Sequence, residues 1–129
     1  MYSTVIIDRQ SKSLAVLYSF FNRNRRLKIT GTFQNYCDAM VFIKKQPPAI
    51  IIIDMGTLYR NGPLHWDQIK SLQNKSCIFI TSYHLDNTVK QLAEEVSGYL
   101  LKPVGQEDIE NMVNQVKIAR KTKPELDKV

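Results

Sequence analysis

The chain has 129 residues, 43% of them apolar and 23% charged, with a net charge of +6. That is one domain's length with a core large enough to fold unaided, and it excludes a disordered or low-complexity chain. The moderately basic balance makes a nucleic-acid partner something to test rather than assume. The only cysteines, Cys37 and Cys77, lie far apart and form no CxxC pair. They are expected to be two buried free thiols in a reducing compartment, not a disulfide framework or a zinc site. The N-terminus, Met1-Tyr2-Ser3-Thr4, has no basic segment followed by an apolar one, and the longest apolar run covers only residues 49–53. A soluble, cytoplasmic, single-domain protein is expected.

In chain order, Val5-Ile6-Ile7 predicts a first strand. Leu14, Leu17, Tyr18 and Phe21 then follow helical spacing. Leu27-Lys28-Ile29-Thr30 alternates, which suits an edge strand before Gly31. Ala39, Met40 and Ile43 give a short helical stripe, stopped by Gln46-Pro47-Pro48 because proline cannot continue a helix. The run Ala49-Ile50-Ile51-Ile52-Ile53 is continuous and β-branched, as in a strand covered on both faces. Residues 64–72 read as a less regular helix. Cys77-Ile78-Phe79-Ile80 predicts a fourth strand, and Val89, Leu92, Ala93 and Val96 the next helix. Tyr99-Leu100-Leu101 predicts a fifth strand, and Ile109, Met112, Val113 and Val116 a last helix. Residues 1–120 make the domain, and 121–129 read as a tail or a linker to a further domain.

Strand and helix alternate five times, which predicts an α/β fold of the doubly wound (βα)5 type. Its five-stranded parallel sheet would run in the order 2-1-3-4-5 with helices on both faces. Ligands of such folds sit at the carboxyl ends of the strands. There the sequence puts Asp8 after the first strand, Asp54 after the third, Thr81-Ser82 after the fourth and Lys102-Pro103 after the fifth. Two carboxylates, a hydroxyl and an ammonium make a phosphoryl-transfer set. One carboxylate can act as nucleophile, the ammonium offsets charge on the transferred oxygens, and the hydroxyl can bond one of them. A second carboxylate commonly helps to hold Mg²⁺.

These residues, with Gly62 eight positions after Asp54 and the run Gly98-Tyr99-Leu100-Leu101-Lys102-Pro103, resemble the receiver domain of bacterial response regulators. The likeness covers about residues 4–117. Gly31-Thr32-Phe33 and the Gly98–Pro103 segment look most like receivers found ahead of LytTR-type DNA-binding domains. The resemblance implies that Asp54 is the phospho-acceptor, that Lys102 pairs with its carboxylate or the phosphoryl group, and that Thr81 moves to bond a phosphoryl oxygen. It further implies that Ser82 leaves the site open, that Tyr99 is an aromatic switch, and that the Lys102-Pro103 bond is cis. Asp8, Asp54 and the backbone carbonyl of Gly56 would bind Mg²⁺. The implied partners are a histidine kinase or phosphotransfer protein, with an output domain or a homodimer on the face of the fourth helix, fifth strand and fifth helix.

Arg9 breaks that pattern. The family's acidic pair after the first strand is here Asp8-Arg9, and arginine has no acceptor and stays charged. The usual three carboxylates and one lysine become two carboxylates against two cations, so weak Mg²⁺ binding is expected. Arg9 then clamps the phosphoryl group, pairs with Asp54 and quenches it, or points to solvent. Thr57-Leu58 replaces the common Met-Pro after the acceptor, a second departure close to the metal site.

His65 and His84 lie in different segments without triad-like neighbours, and Trp66 is expected to be partly buried packing. The clusters Arg23, Arg25, Arg26, Lys28 and Lys117, Arg120, Lys121, Lys123 lack interleaved aromatics, so direct nucleic-acid binding by this chain is not expected, nor is a membrane partner. A phosphatase with Asp8 as nucleophile would want an acid where Gln10 stands. A flavodoxin would want a hydroxyl-rich phosphate loop where Arg9-Gln10-Ser11-Lys12 stands. The remaining readings are a phosphorylated, non-enzymatic switch and, as the alternative, a phosphorylation-independent interaction module.

Overall fold

The structure is a computed structural model that describes residues 1–61 and 63–122, the side chains of residues 59–65 excepted. Five strands form one parallel sheet: β1 (Tyr2–Ile7), β2 (Leu27–Phe33), β3 (Ile50–Asp54), β4 (Cys77–Ser82) and β5 (Gly98–Leu101). Their order is β2-β1-β3-β4-β5, as the alternation of elements predicts. The helices are α1 (Ser11–Asn22), α2 (Tyr36–Lys45), α3 (Met55–Asn61), α4 (Pro63–Ser71), α5 (Asn87–Glu94) and α6 (Gln106–Thr122), with a 3-10 turn at Leu72–Asn74. The expected fourth and fifth helices are thus α5 and α6 here. Most of the expected tail, 121–129, lies outside the described residues.

The isoleucine run of β3 shows how the sheet is covered. Successive side chains of a strand point to opposite faces. Ile50 and Ile52 therefore join Leu17, Phe21, Phe79 and the α6 stripe in one core layer. Ile51 and Ile53 join Ala39, Met40, Ile43, Ile69 and Val89 in the other. All four isoleucines are fully buried. Each contributes roughly 1.5–3 kcal/mol, which makes β3 the anchor of the sheet.

Local signals set the helix starts. The Asn35 side chain accepts the Asp38 N–H at 2.8 Å to cap α2. The Asp86 side chain does the same for α5, accepting the Val89 N–H at 2.9 Å. The edge strands are less covered than the apolar runs suggest: Tyr99 and Leu101 of β5 are exposed, and only Leu100 is buried. Tyr18 on α1 is also exposed.

The third crossover differs from expectation. A helix was expected over 64–72 only, but α3 already begins at Met55, directly after Asp54. No proline follows the acceptor position here, so nothing stops helical dihedrals from starting there. Met55, Thr57 and Leu58 are buried in consequence. The cysteines need a second correction: Cys77 is buried but Cys37 is exposed, and the two form no disulfide among the described residues. In α2 the buried positions are Tyr36, Ala39, Met40 and Ile43, and Cys37 lies off that stripe with exposed Val41. Among the described residues no helix is long and apolar enough to cross a membrane.

Candidate functional site

The strand order reverses between β1 and β3, the point at which folds of this type place a crevice at the carboxyl ends of the strands. Asp8 follows β1 and Asp54 ends β3, one on each side of that point. Thr81 stands beside Asp54 in register on β4. The chain leaves β5 at Lys102, whose N–H donates to the Ser82 carbonyl at 2.7 Å. The Lys102-Pro103 bond is cis.

The Lys102 ammonium joins the two carboxylates. Its Nζ donates to Asp8 Oδ2 at 2.8 Å and to Asp54 Oδ1 at 2.7 Å. All three residues are buried. Burial alone would lower the ammonium's pKa, but the hydrogen bonds and charges of Asp54 and Asp8 outweigh it and hold the pKa above the usual 10.5. Nζ also lies 4.9 Å from the centre of the Tyr83 ring.

Each carboxylate has further donors. Asp8 Oδ1 accepts the Gln10 N–H at 2.9 Å, and Oδ2 also accepts the Ser13 hydroxyl at 2.5 Å. Asp54 Oδ2 accepts the Gly56 N–H at 2.9 Å. The Thr81 hydroxyl is fully buried and has no hydrogen-bond partner among the described residues. A buried hydroxyl left in that state costs about 1–3 kcal/mol, which marks it as a donor waiting for an acceptor.

Gly56 sits where only glycine fits this arrangement. A Cβ there would lie 2.8 Å from Asp54 Oδ2 and 2.9 Å from Arg9 Nε. Arg9 therefore folds across Gly56 beside Asp54, although much of it remains exposed. It makes no ion pair or hydrogen bond with any described residue. Of the three expectations for Arg9, the quenching pair with Asp54 is not formed, and the side chain does not simply point away.

The remaining predicted residues fall into place or outside the site. Tyr99 is exposed on β5. Ser82 accepts the His84 N–H at 3.2 Å and donates to its carbonyl, so it shapes the loop after β4. Trp66 packs on the α5 side of the core and donates from Nε1 to Glu95 at 2.8 Å. Gly62 and the His65 side chain lie outside the described residues. Two contributors went unnoticed in the sequence, Ser13 and Tyr83. Ser13 is five positions past Asp8, in the first turn of the helix that follows it, and Tyr83 directly follows the Thr81-Ser82 pair, so both had a positional signal.

The response regulator receiver domain family matches residues 4–114, and the chain belongs to that family. It is 27% identical over 116 residues to the transcriptional regulatory protein DesR of Bacillus subtilis (strain 168). That match spans 90% of this chain but 58% of DesR, so the chain covers less than two-thirds of that relative's length. Among solved structures it is similar in fold to RcsB of Salmonella enterica serovar Typhimurium bound to the promoter rprA with the phosphomimetic BeF3-. There the TM-score is 0.76 at 14% identity, over 90% of this chain and 60% of that one. It is likewise similar to the receiver domain of the putative response regulator NarL from Mycobacterium tuberculosis. Here the TM-score is 0.76 at 17% identity, over 90% of this chain and 96% of that one. One of these neighbours is named as a NarL receiver, and the expected LytTR flavour finds no support in any of them.

Receiver domains in general bind Mg²⁺ at the phosphorylation site. Here the donor set fits that ion poorly. Among the described residues no three His, Cys, Asp or Glu side chains come together. Asp8 Oδ2 already accepts two hydrogen bonds, and the other three carboxylate oxygens one each. Where a third carboxylate would add an oxygen ligand, Arg9 adds a positive charge.

Proposed function

We propose that this chain is the phospho-acceptor switch of a two-component pathway, with Asp54 as the residue modified. The observation that carries this reading is the pairing of Asp54 with an unpartnered, buried Thr81 hydroxyl on the neighbouring strand, under a lysine that bonds both carboxylates. An Asp54 oxygen forms a bond to phosphorus. The bond from phosphorus to the donor, a histidine nitrogen of a kinase or phosphotransfer protein, breaks, and the electron pair leaves with the donor. Lys102 and the Gly56 N–H hold the carboxylate in line, and Lys102 offsets the added charge. Thr81 then donates its hydroxyl to a phosphoryl oxygen, and Tyr99 turns inward into the space Thr81 leaves.

The product is a covalent state, not a released molecule, so the chain is a signalling protein rather than an enzyme. Its readout face is α5, β5 and α6. Tyr99 and Leu101 are exposed on the edge strand there, which supports docking of an output domain or a second copy. Direct nucleic-acid binding is not proposed for this chain, because several of its basic residues are engaged. Arg26 pairs with Glu110 at 2.5 Å, and Arg23 and Arg120 lie over Phe20 and Tyr2. A cytoplasmic location is part of this reading, since the two-component partners it invokes work there and reduced thiols are at home there.

The test is intact mass after treatment with acetyl phosphate in Mg²⁺. Wild type is expected to gain one phosphoryl group and Asp54→Asn none. Equal gain by both, or gain by neither, would overturn this reading.

A further inference from the structure

We infer that the Arg9 guanidinium takes the place of the divalent cation, so that Asp54 accepts and holds a phosphoryl group without metal. This rests on Asp54 being the acceptor, and three observations carry it beyond that reading.

The first is position. Arg9 Nε and Asp54 Oδ2 lie 2.9 Å and 2.8 Å from one point above Gly56, so the guanidinium stands beside the acceptor carboxylate without bonding it. A cation beside the acceptor that makes no bond to its oxygens suits a group that arrives later. The side chain can do this because residue 56 is glycine; any Cβ would occupy the space Arg9 crosses.

The second is charge. A carboxylate together with a divalent cation carries one positive charge, and so does a guanidinium. Replacing both by Arg9 leaves the site's total unchanged before and after phosphorylation. Asp8, Asp54, Lys102 and Arg9 sum to zero, so the site has no excess negative charge to draw in a cation.

The third is ligand supply. Asp8 is turned into an acceptor for Lys102, Ser13 and the Gln10 N–H, which ties it to this chain's own donors. Arginine also brings a planar fork of donors that matches phosphoryl oxygens in pairs, which a hydrated Mg²⁺ ion does not. As the phosphorus–donor bond breaks and the Asp54–phosphorus bond forms, charge builds on the three transferred oxygens. Arg9, Lys102 and Thr81 are this chain's donors to them. No proton and no further reactant is needed for the balance.

The test is uptake from acetyl phosphate by the full chain, followed by intact mass, in excess EDTA and in Mg²⁺. The proteins are wild type, Arg9→Met, Arg9→Lys, Arg9→Asp and Asp54→Asn, each checked for folding by circular dichroism. Wild type is expected to be modified at similar rates in both media. Arg9→Met should lose at least tenfold in EDTA, Arg9→Lys should keep part of the rate, and Arg9→Asp should be modified only in Mg²⁺. Wild-type uptake only in Mg²⁺ overturns the inference and leaves Asp54 as the acceptor. So does an EDTA rate that Arg9→Met does not change. Uptake by Arg9→Asp in Mg²⁺ with none by wild type also overturns it, because Arg9 is then a block. No uptake by any of the folded proteins refutes the acceptor reading itself.

Discussion

Replacing Gly56 with alanine separates the stability of the site from its chemistry. The new Cβ would stand 2.8 Å from Asp54 Oδ2 and 2.9 Å from Arg9 Nε, closer than real Cβ contacts allow, so something must shift. Asp54 is held by Lys102 and by the Gly56 N–H, whereas Arg9 is an exposed side chain with no bond to any described residue. Arg9 therefore swings away. The fold should barely notice, because alanine is preferred over glycine in a helix by about 0.5–1 kcal/mol and offsets the residual crowding.

The chemistry should notice. Unit charges about 6 Å apart at an effective dielectric of about 20–40 interact by roughly 1.4–2.8 kcal/mol, and at about 10 Å by a little over half of that. The transferred group carries up to two charges, so losing Arg9 from this position costs about 1–2 kcal/mol of barrier, roughly tenfold in rate. The assay is the time course of phosphoryl uptake in EDTA, beside a urea denaturation curve. A Gly56→Ala protein with the wild-type rate in EDTA would refute the reasoning. So would one destabilised by more than about 3 kcal/mol, because the site would then resist the added methyl by rigid contacts rather than by a movable side chain.

Three further outcomes are expected. Thr81→Val removes a buried hydroxyl that has no partner, so the urea midpoint should rise by the equivalent of about 1 kcal/mol, while beryllofluoride should no longer shift the Tyr99 amide in NMR spectra. Lys102→Met leaves two buried carboxylates without their cation and should cost about 3–5 kcal/mol at neutral pH. The folded-state pKa of Lys102 lies above its ordinary 10.5, so its contribution is whole below that pH and is lost as pH rises through the raised value. Urea curves of wild type and variant should therefore converge only in strong alkali; convergence already near neutrality would contradict the geometry. A thiol reagent should modify Cys37 in the folded protein and reach Cys77 only after denaturant is added.

Much of the fold can be read from the sequence because the strands are unambiguous. Four isoleucines in a row at 50–53 permit little other than a strand buried on both sides, and prolines at 47 and 48 end the helix before it. The site was legible for the same reason: Asp8, Asp54, Thr81 and Lys102 each close an apolar run, so finding the strands found the residues. What the sequence hid depends on context. Residues 55–61 have no apolar period, and α3 forms there because it continues from a buried strand end. Cys37 looked like a core residue by type, and only the phase of α2 turns it outward. The path of Arg9 could not be read from its neighbours in sequence, because it is set by the missing Cβ of Gly56, forty-seven positions away.

The most direct test of the central claim is to locate the phosphoryl group. Wild type treated with acetyl phosphate and then with borohydride, which reduces an aspartyl phosphate to homoserine, should yield homoserine at position 54 on peptide mapping, with Asp8 unchanged. Homoserine at position 8, or at neither aspartate in a folded protein, would contradict the account.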